Sequence, residues 1–234
     1  MCIRDRKVEN SAILYSDVPP TIGASRSEYI ATARYFGGSI DEVKVYNYAV
    51  APEFVMSEYS AVDIDALNRV EKLIAHWSFN GNSNNEVAGV VAGTEEGSVE
   101  YASGVIGEAL KLDSYNERVT TPVASADFKL QEFTVSAWFK LDRLNDNQEI
   151  YNLHDSRPGV RRGVSVFVGS DNRPRFAMAT NNGGVWSEVI SNARVESGRW
   201  YFIACTYDGA SQKMVIDGTN VTERNESSEN LKQR

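Results

Sequence analysis

The fold class is decided by a stretch near the middle of the chain, Phe133-Thr134-Val135-Ser136-Ala137-Trp138-Phe139-Lys140. In an extended strand, successive side chains point to opposite faces. The apolar side chains of Phe133, Val135, Ala137 and Phe139 therefore share one face. The other face carries Thr134, Ser136, Trp138 and Lys140. We predict a strand whose first face is buried in a core and whose second face carries Trp138.

The same alternation of apolar and polar residues continues on both sides of this stretch. Turn residues recur every 8 to 12 positions, which is typical of an all-β sandwich or barrel. Alternating segments predict strands at 39–46, 73–79, 109–113, 118–121, 149–153, 163–168, 175–180, 185–190, 200–207 and 213–216. One helix is predicted at 51–59, where Pro52 and Glu53 lie in the first turn. The sequence therefore predicts an all-β, two-sheet antiparallel sandwich with one short helix.

Charge and hydropathy exclude two classes of partner. The 234 residues carry a net charge of −8, whereas a nucleic-acid surface needs a clustered basic face. No stretch approaches 18 consecutive apolar residues, so we expect no membrane insertion. Hydrophobic residues make up 42% of the chain, enough to form a core.

Several segments resemble laminin-G-like jellyroll domains of the concanavalin A-like lectin/glucanase superfamily. Gly37-Gly38-Ser39-Ile40-Asp41-Glu42-Val43-Lys44-Val45-Tyr46-Asn47-Tyr48-Ala49-Val50 resembles their closing strand. Leu73-Ile74-Ala75-His76-Trp77-Ser78-Phe79-Asn80-Gly81 resembles their opening strand. The segments 107–113, 133–140, 200–209 and 214–218 follow in the family's order. The resemblance implies a jellyroll that acts as a binding or adhesion module.

The order of these segments implies a piece of a tandem-domain protein. Residues 7–55 resemble the end of one jellyroll, 56–72 read as a linker, and 73–234 resemble a second jellyroll without its last strands. Residues 1–6 resemble a translated sequencing adapter, as found in assembled metagenomic reads; the alternative is a short polar leader. We predict that 7–55 docks onto 73–234 and completes one sandwich in circularly permuted order. The alternative is a loose N-terminal tail.

The resemblance favours a secreted or cell-surface module that binds a glycan, with an extracellular protein as the alternative partner. A structural spacer between neighbouring domains of the same polypeptide also stays open. We expect no catalysis, because glycosidases of this fold need two facing carboxylates and no alternating acid run is present. An accessory part of a glycoside hydrolase is the remaining alternative. Asp142, Asp146 and Glu149 are interpreted as a solvated loop.

Two sets of site residues follow. For a ligand, Trp138 is expected on the concave sheet, flanked by strands that carry Tyr151, Arg175 and Trp186; packing is the alternative for each. For a structural calcium ion, which many such jellyrolls hold, the loop 80–86 offers Asn82, Asn84 and Glu86, with Asp41 as a further ligand. Calcium prefers six to eight oxygen ligands. The alternative for this loop is a polar turn of Asn and Ser.

Overall fold

The computed structural model describes residues 18–25, 34–60, 73–87, 89–121, 132–154, 163–179, 186–218 and 220–225. These residues form one helix, α1, which spans Pro52–Tyr59. They also form the strands β1 (Thr21–Ile22), β2 (Gly38–Tyr46), β3 (Leu73–Trp77), β4 (Thr94–Glu96), β5 (Glu100–Ser103), β6 (Glu108–Leu112), β7 (Arg118–Thr120), β8 (Phe133–Leu141), β9 (Gln148–Asn152), β10 (Val164–Val168), β11 (Pro174–Ala179), β12 (Trp186–Ile190), β13 (Trp200–Tyr207), β14 (Ser211–Ile216) and β15 (Asn220–Asn225).

The strands build two antiparallel sheets. The seven-stranded sheet has the order β12-β11-β10-β9-β1-β7-β4, and the eight-stranded sheet has the order β15-β14-β13-β8-β2-β6-β5, with β3 also paired to β2. One hydrophobic core takes side chains from both sheets. For example, the ring centroids of Phe133 in β8 and Phe176 in β11 lie 5.9 Å apart. The predicted all-β two-sheet sandwich is confirmed, and the arrangement is consistent with a concanavalin A-like jellyroll.

Strand β8 shows the predicted alternation. Phe133, Val135, Ala137 and Phe139 belong to the core between the sheets, whereas Trp138 packs in a separate cluster on the outer side. Strand β8 lies between β13 and β2 over most of its length. A half-apolar strand can occupy this central position because its neighbours satisfy the backbone hydrogen bonds on both edges.

The N-terminal strands are integral to both sheets. Strand β1 lies between β9 and β7, with Ile22 opposite Tyr151 and Val119. Strand β2 lies between β8 and β6, with Ile40 opposite Phe139 and Leu110. The predicted pairing of the segment 40–46 with later strands is therefore confirmed. A strand order that is permuted relative to the family stays a prediction. The origin of 7–55 in a preceding domain stays a prediction.

The predicted boundary at residue 55 falls inside helix α1, which ends at Tyr59. The interpretation of 1–6 as an adapter sequence and of most of 56–72 as a linker falls outside the described residues. Within the described ranges, no helix has the length and apolar character needed to cross a membrane.

Candidate functional site

The outer face of the eight-stranded sheet is covered by α1. Tyr59, the last residue of the helix, stacks on Trp138 with ring centroids 5.5 Å apart and an interplanar angle of 23°. Phe202 of β13 contacts the same indole at 5.3 Å. The hydroxyl group of Thr134 donates to the carbonyl oxygen of Tyr48 and so fastens the connection between β2 and α1 to β8. Trp138 is therefore part of a small packed cluster beneath the helix.

A cavity of about 230 Å³ remains beside the first turn of α1. Val50, Pro52 and Val55 form its helical side, and Thr206 and Lys213 belong to the strands below. Ligand pockets for drug-sized molecules usually measure about 300–1,000 Å³. This cavity is too small for such a ligand, and the helix–sheet junction makes a weak candidate for the main binding site.

Three of the four residues expected to bind a ligand do not come together. Trp138 packs beneath α1 on the eight-stranded sheet, whereas Tyr151 of β9 is buried in the core between the sheets. Arg175 of β11 is partly exposed, and its guanidinium group lies 2.9 Å from Asp171 and 3.2 Å from Glu188. Trp186 begins β12, and its side chain lies outside the described residues. Of these residues, Arg175 is placed by the structure where a ligand can reach it.

Strand register identifies the face on which Arg175 lies. Arg175 is opposite Phe167 of β10, and Phe167 is opposite Glu149 of β9. Their neighbours Val166, Val168 and Phe176 belong to the core. Because side chains alternate along a strand, this row points away from the core. The outer face of the seven-stranded sheet therefore carries a row of one acidic, one aromatic and one basic side chain.

Glu149 is the centre of a polar cluster on this face. Its Oε1 atom accepts hydrogen bonds from the amide of Asn152, at 3.0 Å, and from the hydroxyl group of Ser165. The guanidinium group of Arg34 lies 3.6 Å from its Oε2 atom. That guanidinium group also lies over the ring of Phe167, 4.0 Å from the centroid. Arg34 therefore joins the N-terminal segment to β9 and β10 on the outer face.

Burial raises the pKa of Glu149. The side chain is fully buried, and desolvation raises the pKa of its carboxyl group above the usual range. The charge of Arg34 and the hydrogen bonds from Ser165 and Asn152 act in the opposite direction without cancelling the effect. The prediction of a solvated loop at Glu149 is wrong, because this residue lies in β9 and its side chain is fully buried.

A comparison with models of protein families identifies the superfamily of the chain. A family model for the concanavalin A-like lectin/glucanases superfamily matches residues 113–233, a little more than half of the chain. The chain belongs to the concanavalin A-like lectin/glucanase superfamily. Searches of curated proteins and of solved structures gave no match. Laminin-G-like members of this superfamily generally act as non-catalytic binding modules, although the superfamily also includes glycosidases.

The resemblance to this superfamily raised the expectation of calcium, and the structure gives each expected ligand a local role. The Oδ2 atom of Asp41 accepts hydrogen bonds from the backbone N–H groups of Val105, at 2.7 Å, and Ile106, at 3.1 Å. These two residues form the turn between β5 and β6. Burial raises the pKa of Asp41 to about 6, although both backbone hydrogen bonds oppose the rise. Asp41 therefore anchors this turn.

The side chains of Asn82 and Glu86 in the loop accept hydrogen bonds from nearby groups. The Oδ1 atom of Asn82 accepts a hydrogen bond from the backbone N–H of Asn84 at 2.8 Å. Glu86 accepts one from the hydroxyl group of Ser78 at 2.7 Å. In the part of the chain that the structure describes, no group of three His, Cys, Asp or Glu side chains is arranged to hold a metal ion. Calcium binding by Asp41, Asn82, Asn84 and Glu86 stays a prediction.

Proposed function

We propose that the chain is a non-catalytic carbohydrate-binding module and that the sugar lies on the outer face of the seven-stranded sheet. The observation that carries this proposal is the difference between the two outer faces. One is covered in its central part by α1 and its aromatic cluster. The other presents Arg34, Arg175 and Glu188 as partly exposed side chains.

The chemistry of these side chains suits sugar hydroxyl groups. A guanidinium group offers several N–H donors in a planar fork, and a carboxylate offers acceptors only. A sugar hydroxyl group both donates and accepts, so Arg175 and Glu188 together satisfy adjacent hydroxyl groups. The pair is held in place before a ligand arrives, because Asp171 fixes the other side of the same guanidinium group at 2.9 Å. Such preorganisation lowers the entropy cost of binding.

The strand order separates Glu149 from Glu188 on this face. Glu149 lies on β9 and Glu188 on β12, with β10 and β11 between them. Three strand spacings amount to roughly 14 Å. Glycosidases place their two carboxyl groups about 5–5.5 Å apart when they retain configuration and about 6.5–9.5 Å apart when they invert it. These two acids are too far apart to act as such a pair.

The proposal extends to location and context. We propose a secreted or cell-surface protein, in which the module is joined to neighbouring domains of the same polypeptide. An adhesion module that binds an extracellular protein and a spacer without a ligand are the alternatives. The resemblance to laminin-G-like domains is the support for this context.

The test is a glycan array probed with the full chain and with two arginine variants. We expect R175A to lose at least about tenfold in affinity for the bound glycan, which equals roughly 1.4 kcal/mol. The control is R199A, because Arg199 forms an ion pair with Asp217 at the same distance, 2.9 Å, on the other sheet. We expect this variant to bind as the wild type does. A wild-type chain that binds no glycan, or an R175A chain that binds normally, would overturn the proposal.

A further inference from the structure

Tyr115 stands out on the surface because 65% of it is exposed although it is a large aromatic residue. It lies in the turn between β6 and β7. A single exposed aromatic side chain is common on soluble proteins. The surroundings of Tyr115 are less common, because the turn is held rigid and two further segments approach the ring.

The turn is fixed by a buried carboxylate. Glu117 is buried, and its Oε2 atom accepts hydrogen bonds from the backbone N–H groups of Asp113, at 2.7 Å, and Ser114, at 2.9 Å. Asn116 adopts a left-handed conformation with φ of 91°, which turns the chain back toward β7. Asn accepts this conformation more readily than most residues. The backbone on both sides of Tyr115 is therefore held in one geometry.

Tyr35 and Arg143 come from two other segments and contact the Tyr115 ring. The rings of Tyr35 and Tyr115 meet edge to face, with centroids 5.9 Å apart and an interplanar angle of 86°. The guanidinium carbon of Arg143 lies over the Tyr115 ring, 5.2 Å from its centroid. Arg143 also donates a hydrogen bond to the backbone carbonyl of Tyr35. Three segments far apart in sequence thus form one corner around an exposed ring.

The corner is anchored to the strands below it. Gln148 of β9 accepts a hydrogen bond from the backbone N–H of Gly37 at 2.9 Å and donates one to the carbonyl of Arg143 at 2.8 Å. It therefore holds the segment of Tyr35 against that of Arg143. Arg34, the residue before Tyr35, lies on the outer face of the seven-stranded sheet over Phe167. The corner is thus continuous with the face proposed to bind carbohydrate.

The chemistry of the corner selects a class of ligand. Arg143 occupies one side of the Tyr115 ring, and the high exposure of Tyr115 leaves room for a flat apolar surface on the other. The nonpolar face of a sugar ring has this shape. Asp113 is solvent-exposed, and the side chain of Asp146, which lies 3.5 Å from Arg143, is 47% exposed. Their carboxylates add acceptors for hydroxyl groups. Their charges, within a chain of net charge −8, disfavour sulfated or uronic acid glycans. A stable protein interface needs about 800 Å² on each partner, far more than one corner provides.

We propose that Tyr115, Tyr35 and Arg143 form a stacking subsite for a neutral sugar ring, next to the polar outer face of the seven-stranded sheet. This inference rests on the proposed carbohydrate-binding function and extends it, because a ligand that reaches both places must contain more than one sugar unit.

The experiment uses the full chain and an array of neutral and acidic oligosaccharides. An aromatic contact contributes about 0.5–1.5 kcal/mol, so we expect Y115A to weaken binding of the neutral ligand roughly three- to tenfold. We expect Y115F, which keeps the ring, to bind as the wild type does. The matched control is V91A, since Val91 is 64% exposed. Thermal melting checks the fold of each variant. Replacing an exposed side chain should hardly change the melting temperature.

The outcomes separate this inference from the function on which it rests. If the wild type binds neutral glycans and both R175A and Y115A weaken that binding, both proposals are supported. If R175A weakens binding but Y115A leaves it unchanged, the stacking subsite is refuted and the carbohydrate function stands. A wild type that binds no glycan overturns both. A wild type that binds acidic glycans alone overturns the neutral class of ligand.

Discussion

Replacing Asp41 by asparagine should change how the stability of the chain depends on pH. Burial raises the pKa of Asp41 from 3.8 to about 6. A carboxyl group whose pKa is raised in the folded state stabilises that state fully below its unfolded pKa, and this contribution is lost as the pH rises through the folded pKa. The wild type should therefore lose about 2–3 kcal/mol of unfolding free energy through this group between about pH 4 and pH 7.

The D41N variant removes the titratable carboxyl group but keeps a side-chain oxygen that can accept both hydrogen bonds from the turn. Its unfolding free energy minus that of the wild type should rise by the same 2–3 kcal/mol from about pH 4 to about pH 7. Urea unfolding followed by tryptophan fluorescence over this pH series measures the difference. D146N is the control for an Asp-to-Asn change outside the turn, at a side chain that is 47% exposed. Parallel pH profiles for D41N and the wild type would contradict the raised pKa of Asp41.

Three further predictions concern strand docking, the helix and calcium. In G38A the new Cβ would lie 2.0 Å from the carbonyl oxygen of Lys140, so β2 must shift and urea unfolding should show a loss of roughly 1–3 kcal/mol; unchanged stability would contradict the register of β2 and β8. Y59A should uncover Trp138, lower the unfolding free energy by about 1–3 kcal/mol and shift the tryptophan emission to the red; an unshifted spectrum would show that the helix does not cover this indole. Calcium, if bound by the folded chain, must raise the melting temperature, and equal melting in calcium and in chelator would retire that prediction.

The fold could be predicted from the sequence where strands are half buried. In β8 the apolar residues recur at every second position, so both the strand and the orientation of Trp138 follow from the pattern. The short strands β4 and β5 were not predicted. They carry the segments TEE and EYAS at sheet edges, and edge strands of this kind are rich in charge and lack a buried face.

The candidate site could be predicted only in part, because its members meet through tertiary packing. The alternation places Trp138 outside the core, but nothing in the local pattern shows that Tyr59 covers it. Arg175 was found from its strand, whereas the cluster of Glu149 and Arg34 was missed. A glutamate in an otherwise apolar strand pattern was the available signal for that cluster, since an acid at such a position needs a partner.

The central position of β1 and β2 has a consequence for synthesis. Each sheet is complete only when one of these early strands fills the gap between two groups of strands made later. Ile40 pairs with Phe139, so roughly 100 residues must be translated before this contact can form, which takes about 5–20 s at ordinary ribosomal rates. Strands β3 and β6 can pair with one edge of β2 earlier, but the edge of β2 that faces β8 stays unpaired during that interval. Unpaired strand edges promote aggregation. The yield of soluble protein should therefore depend on how quickly translation reaches β8.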